Sequence, residues 1–255
     1  MRGPLSTRAR ARTSHMPAMN DSLWRPRAMT EPGLAAARYA TRARRKAESP
    51  DTGSHSRASR GGANAGAAGK ENPAAGSGGH VVMFHRDGDE YADRASAYLL
   101  EALRKDGAAI VIASPEHRRA IRARLAQAGT DVAAAEAAGA FVALDALETA
   151  LRCMVADWPD PASFWEVISP LIRRATEAFK PVHVFGEMVA LLWDSGEVNA
   201  GIEVEAMWNE MAAQYRFSMV CAYPVPSVSG DDHRDSLDEL CRVHSAAAGA
   251  VPVHA

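Results

Sequence analysis

The sequence predicts an α/β fold, a three-layer domain whose mainly parallel sheet is covered by helices on both faces. Two observations carry this. From His80 onward, short apolar runs alternate with segments of helical periodicity. The apolar runs are continuous instead of alternating with polar residues, as strands buried on both faces require.

The elements follow in order. His80–His85 is an apolar run consistent with a buried strand, and Asp87-Gly-Asp-Glu supplies turn and N-cap chemistry before a helix with Tyr91, Ala95, Tyr98, Leu99, Ala102 and Leu103 on one face. Gly107 ends it. Ala108–Ala113 is a second strand, and Ser114-Pro-Glu opens a helix to about Gln127 with Pro115 at the first helical position. A third strand is expected at Ala140–Leu144, with a helix from Asp145 to about Ala156. The Trp-Pro-Asp-Pro turn at 158–161 leads to a helix over Phe164–Phe179, and Pro181–Phe185 makes the fourth strand. Two helices at about 187–194 and 197–213 precede a fifth strand at Phe217–Ala222, and a last helix is expected over about 233–247.

Charge divides the chain. Of 29 Lys and Arg and 31 Asp and Glu, residues 1–79 hold 14 basic against 5 acidic, leaving 15 against 26 beyond. The first region is rich in Arg, Ala, Gly and Ser, lacks apolar periodicity and closes with GGANAGAAGKENPAAGSGG. It cannot bury enough apolar surface to offset its ordering entropy, so residues 1–79 are expected to be a disordered basic extension, followed by a domain at 80–247 and a flexible tail at 248–255. Such a tail also has the composition of a transit peptide, and could hold nucleic acid weakly through charge alone. The solvated extension is the reading adopted.

No segment has the roughly 18 continuous apolar residues of a membrane span. Three cysteines, Cys153, Cys221 and Cys241, form no C-x-x-C pair. That suits a reducing interior, so a cytoplasmic location is expected.

Nucleotide binding is the obvious hypothesis for this architecture, and the motifs argue against it. Gly69-Lys70 imitates the end of a phosphate loop, but Asn64 stands at the first glycine position, Glu71 replaces Ser/Thr, and the segment precedes the first strand. The loop after that strand, His85-Arg86-Asp87-Gly88-Asp89-Glu90, places three acids where phosphates would sit.

Metal chemistry is equally unsupported by spacing. His183 and Glu187 are separated by a strand-to-turn transition, and Cys241-x-x-His244 alone falls short of the three or four ligands of a zinc site. A buried Cys241 with an exposed His244 is the expected arrangement. No metal and no cofactor are expected.

The stretch Val182–Tyr223 is the best candidate for a pocket, because side chains just past the carboxyl end of a strand face the crevice of an open α/β sheet and Glu187 sits at such a point. Beyond it, Val204, Met207, Trp208 and Met211 form an apolar stripe flanked by Glu205 and Asn209, and Trp193, Trp208 and Tyr223 either line a cavity or fill the space between helices and sheet.

These residues carry a resemblance. HVVMF at 80–84, LDALETALRCM at 144–154, Pro159-Asp160, FGEMVALLWDSG at 185–196, VEAMWNEM at 204–211, CAYP at 221–224 and CRVH at 241–244 are similar to the MEDS domain, a methanogen/methylotroph sensory domain. The resemblance covers the folded part from His80 to about Ala247. It implies a RecA/KaiC-like module with a degenerate phosphate loop that senses small organic molecules. It also implies His80, Glu187, Glu205, Trp208, Cys221, Tyr223 and His244 as characteristic positions. The family commonly has an aromatic residue after Phe84, where this chain has His85.

The expected protein is therefore a stand-alone, non-enzymatic sensory or ligand-binding module of signal transduction or transcriptional regulation. It would act through a separate partner such as a histidine kinase or regulator. Its tentative ligand-binding residues are His80, His85, Glu187, Trp193, Glu205, Trp208, Cys221 and Tyr223. The alternatives are a KaiC-like nucleotide-binding or weakly hydrolytic protein, and a regulator that binds a kinase or anti-sigma partner without a ligand.

Overall fold

A computed structural model describes residues 79–229 and 234–248. Apart from Gly79 and Ala248, the expected basic extension and C-terminal tail lie outside the described residues.

The elements run β1 (His80–His85), α1 (Gly88–Leu103), β2 (Ala108–Ala113), α2 (Pro115–Gln127), α3 (Val132–Ala137), β3 (Phe141–Asp145), α4 (Ala146–Arg152), β4 (Met154–Val155), β5 (Trp158–Pro159), α5 (Pro161–Ala178), β6 (Val182–Gly186), α6 (Met188–Asp194), α7 (Val198–Gln214), β7 (Ser218–Pro224), α8 (Val225–Val228), α9 (Arg234–Val243) and β8 (Ala246–Ala248). Six strands make one sheet in the order β3-β2-β6-β7-β1-β8, every neighbouring pair parallel. The α/β, mainly parallel prediction holds.

The two faces of the sheet carry separate apolar clusters. On one, Val82, Phe84, Ile110, Val184, Met219, Cys221 and Tyr223 pack with residues of α4 to α9. On the other, Val81, Met83, Val111, Phe185 and Val220 pack with Tyr91, Tyr98, Leu99, Ile121 and Leu125 of α1 and α2. The period-two alternation of the pleat sends successive residues of each strand into different layers, which is why the strands read as unbroken apolar runs.

Side-chain caps set the helix starts. Asp87, Ser114, Asp131, Asp145 and Asp160 accept hydrogen bonds from the amides of Glu90, His117, Ala134, Glu148 and Ser163, satisfying N–H groups the first helical turn leaves unpaired. Pro161 rather than Phe164 begins α5, because a proline at the first helical position loses no hydrogen bond.

Four sequence expectations need correction. The helix expected to reach Ala156 stops at Arg152, and Met154–Val155 pairs antiparallel with Trp158–Pro159 across a turn in which Ala156 and Asp157 have positive φ. The short helix α3 was not anticipated; its six residues are too few to establish a period. The last helix ends at Val243, and Ala246–Ala248 forms a sixth strand on β1 instead of continuing it. Alanine favours helix, but the open edge of β1 supplies the ladder, and Ser245 fixes the crossover by donating from both N and Oγ to His80 O at 2.8 Å. Finally, His244 is buried and Cys241 only half-buried, the reverse of the expected arrangement.

One close approach positions the site. A Cβ on Gly201 of α7 would lie 2.7 Å from Nε1 of Trp193 and 3.2 Å from Val189, so only glycine lets α7 settle onto α6 at this depth. No helix among the described residues is long and apolar enough to cross a membrane.

Candidate functional site

The expected site residues fall into two separate clusters. The first lies on the sheet face beneath α7. In the register of β1 and β7, His80 pairs with Met219, Val82 with Cys221 and Phe84 with Tyr223, so His80, Cys221 and Tyr223 share one face. Glu205 enters from α7 and His244 from the end of α9.

Glu205 is the hub, fully buried with its carboxylate as the common acceptor. Tyr223 donates its hydroxyl to Oε1 at 2.5 Å, and Cys221 Sγ donates to Oε2 at 3.2 Å. His80 Nε2 lies 3.1 Å from the same Oε2 and 3.2 Å from Cys221 Sγ. His244 Nε2 is 3.5 Å from Oε2, an ion-pair distance without a completed hydrogen bond. Burial opposes the charge on Glu205, but the facing His244 and His80 more than offset it and hold the carboxyl well below its ordinary range. Burial alone would lower His244, yet Glu205 raises it above the usual imidazole value. Burial and the neighbouring carboxylate push the Cys221 thiol and the Tyr223 hydroxyl well up.

A second layer orients the rings. His80 Nδ1 meets Asn209 Oδ1 at 2.9 Å, and Asn209 Nδ2 donates to Val243 O at 2.8 Å. His244 Nδ1 donates to Leu240 O at 2.7 Å.

Glu187 is not part of this cluster. It stands at the carboxyl edge of the sheet, where the ends of β1, β2 and β6 bring together His85, Ser114 and Glu187. Its Oε1 accepts from Ser114 N at 2.5 Å, and its Oε2 lies 2.6 Å from His117 Nδ1. Tyr91 stacks on His117 at 3.9 Å between ring centroids, and His85 meets Tyr91 edge-on at 5.0 Å. Burial works against ionisation of Glu187, but the bonds from His117 and Ser114 prevail and lower its pKa. Burial lowers His85 and raises Tyr91 well above its usual value.

Glu187 thus bonds a backbone amide as well as a side chain. Glu187→Gln turns one acceptor oxygen into a donor facing either Ser114 N–H or His117, and is expected to cost about 1–3 kcal/mol of stability, read as a shifted denaturant midpoint. An unchanged midpoint would free Glu187 from this structural duty.

The remaining candidates pack. Trp193 sits edge-on to Tyr223 at 5.7 Å, and Trp208 lies edge-on between Phe164 at 5.2 Å and Phe217 at 6.3 Å. His183 turns to the opposite face, stacks on Tyr98 at 4.4 Å and bonds Tyr98 O, far in role from Glu187 four residues on.

His117 and Tyr91 escaped the sequence reading. His117 had a signal, since Ser114-Pro-Glu-His places it in the first turn of the helix beginning at the carboxyl end of β2, where an α/β crevice opens. Tyr91 was assigned only to a core-facing stripe.

The fold and the site together define a parallel α/β domain with buried polar clusters at its strand ends and on one sheet face. The chain matches the model of the MEthanogen/methylotroph, DcmR Sensory domain over residues 79–245, and it belongs to that sensory family. Among solved structures, the uncharacterized protein PH0321 from Pyrococcus horikoshii, crystallised in complex with an unknown peptide, is similar at a TM-score of 0.49 and 12% identity, over 68% of this chain and 77% of that one. No curated protein matches the chain.

Proposed function

We propose that this chain is a non-enzymatic sensory module that reads a small organic molecule at the carboxyl edge of its sheet. It then signals through a separate protein, of the histidine kinase or regulator kind. The observation that carries this reading is His85. Its Nδ1 faces the carbonyl of Asp87 at 3.2 Å and so holds the ring proton, leaving Nε2 an acceptor that is buried without a hydrogen-bond partner among the described residues. A buried acceptor left unpaired costs about 1–3 kcal/mol, a deficit that a ligand donor would remove. The chemistry that fits is a small molecule bearing a hydroxyl or amine, placed against the His85, Tyr91 and His117 rings.

The nucleotide alternative is disfavoured by the turn between β1 and α1. Asp87 Oδ1 accepts the Glu90 amide at 2.8 Å and Glu90 Oε2 accepts the Arg86 amide at 3.0 Å. Two carboxylates therefore occupy the backbone donors that a phosphate would need.

The test is native mass spectrometry of the protein purified from its own host. A retained small hydroxyl- or amine-bearing adduct is expected, absent from His85→Phe, which keeps an aromatic ring and removes the acceptor. A retained nucleoside triphosphate, or an adduct indifferent to that substitution, would overturn the reading.

A further inference from the structure

From the convergence of four donor atoms on one point, we infer that His80, Glu205, Cys221 and His244 form a closed tetrahedral site for a zinc ion. The ligand atoms would be His80 Nε2, Glu205 Oε2, Cys221 Sγ and His244 Nε2. This site is separate from the carboxyl-edge cluster and does not depend on what binds there.

Geometry comes first. Zinc bonds of about 2.0–2.3 Å to nitrogen, oxygen and sulfur place tetrahedral ligands about 3.3–3.8 Å apart. Here four of the separations are 3.1, 3.2, 3.2 and 3.5 Å, and all four atoms lie within 4.8 Å of one another. Small outward shifts of the side chains would admit the ion.

Proton placement points the same way. Val243 O can only accept, so the Asn209 amide must turn Nδ2 toward it and Oδ1 toward His80. His80 then carries its proton on Nδ1. Leu240 O likewise requires the proton of His244 on Nδ1. Both neutral rings therefore aim an Nε2 lone pair inward, toward a carboxylate oxygen. This is the arrangement second-layer partners impose on metal-binding histidines. Tyr223 occupies Oε1 and leaves Oε2 as the single inward oxygen of Glu205.

Charge closes the argument. The four groups are buried, with Glu205 0% and Cys221 2% exposed. The inward lone pairs of the two neutral rings face the carboxylate oxygen at 3.1 and 3.5 Å with no cation between them. A divalent ion with one thiolate, one carboxylate and two neutral imidazoles brings the site to neutrality, which a low-dielectric interior favours. Because protein atoms fill every position, no coordination site remains for substrate, so the ion is structural. It would fasten the end of α9 and the start of β1 to α7 and β7, making the seating of the C-terminal segment dependent on metal.

The test uses the full chain after removal of metal by a chelator, titrated with Co(II). Expected are one equivalent bound with the intense visible bands of tetrahedral cobalt, a thiolate-to-cobalt charge-transfer band in the near ultraviolet, displacement of both by Zn(II), and a raised unfolding midpoint. Cys241→Ser should keep the charge-transfer band. Cys221→Ser and His244→Ala should each lose the tetrahedral spectrum. Should those variants fail to fold, blocking by Zn(II) of alkylation at Cys221 in Cys241→Ser serves the same purpose. Folded protein that takes up no cobalt, octahedral cobalt without the charge-transfer band, or a band that survives Cys221→Ser would overturn the assignment.

Discussion

Glu205→Ala is expected to lower the unfolding free energy by about 3–5 kcal/mol, the usual cost of removing one partner from a buried ionic cluster. The loss has several parts. Tyr223 and Cys221 would lose their acceptor, and His80 and His244 would lose the carboxylate they face, all in a region closed to water. The stabilisation lies less in the attraction itself than in the cost of leaving the partners unpaired. Glu205→Gln should be milder, because one amide oxygen can still accept from Tyr223. Denaturant unfolding of the two variants checks both size and order. An alanine variant within about 1 kcal/mol of the parent would mean that water or rearranged neighbours replace the carboxylate.

Trp208→Ala should cost a similar amount, about 3–5 kcal/mol, for an unrelated reason. Trp208 is 1% exposed and its ring sits between Phe164 and Phe217, so truncation opens a cavity where α5, α7 and the loop before β7 meet. Its Nε1 makes no hydrogen bond among the described residues, so the indole contributes through volume and contact. Trp208→Phe removes only part of that volume and should cost much less. If Trp208→Phe instead destabilises as strongly as alanine, the N–H has a partner and the core-filling assignment fails.

How far the sequence reaches can be judged from single elements. Strand β2 and helix α2 were legible to the residue, because AAIVIA has no polar interruption and Ser114-Pro115 fixes a cap and a first turn locally. Strand β8 was not. Nothing in an alanine run distinguishes a strand from the end of a helix, and the outcome depends on an edge supplied by β1, more than 150 residues earlier.

The site divides in the same way. Residue types were visible: acids beside apolar stripes, histidines at strand ends, a cysteine on a strand. Their grouping was not, because it depends on register and crossover. His80 and Glu187 both stand among the tentative ligand-binding residues read from the sequence. The fold places Glu187 at the carboxyl edge with His85 and His117, and His80 on a sheet face with Glu205, Cys221 and His244. Sequence spacing offered only Cys241 near His244, a pair short of a site, whereas the sulfur that reaches the cluster is Cys221, from a strand packed beneath α7. What the chain determined by itself was therefore the layers and the caps at Asp87 and Ser114, which depend on neighbours within a few residues. Which polar groups share a buried space was decided only by tertiary structure, since the parallel order of strands brings together residues far apart in the chain.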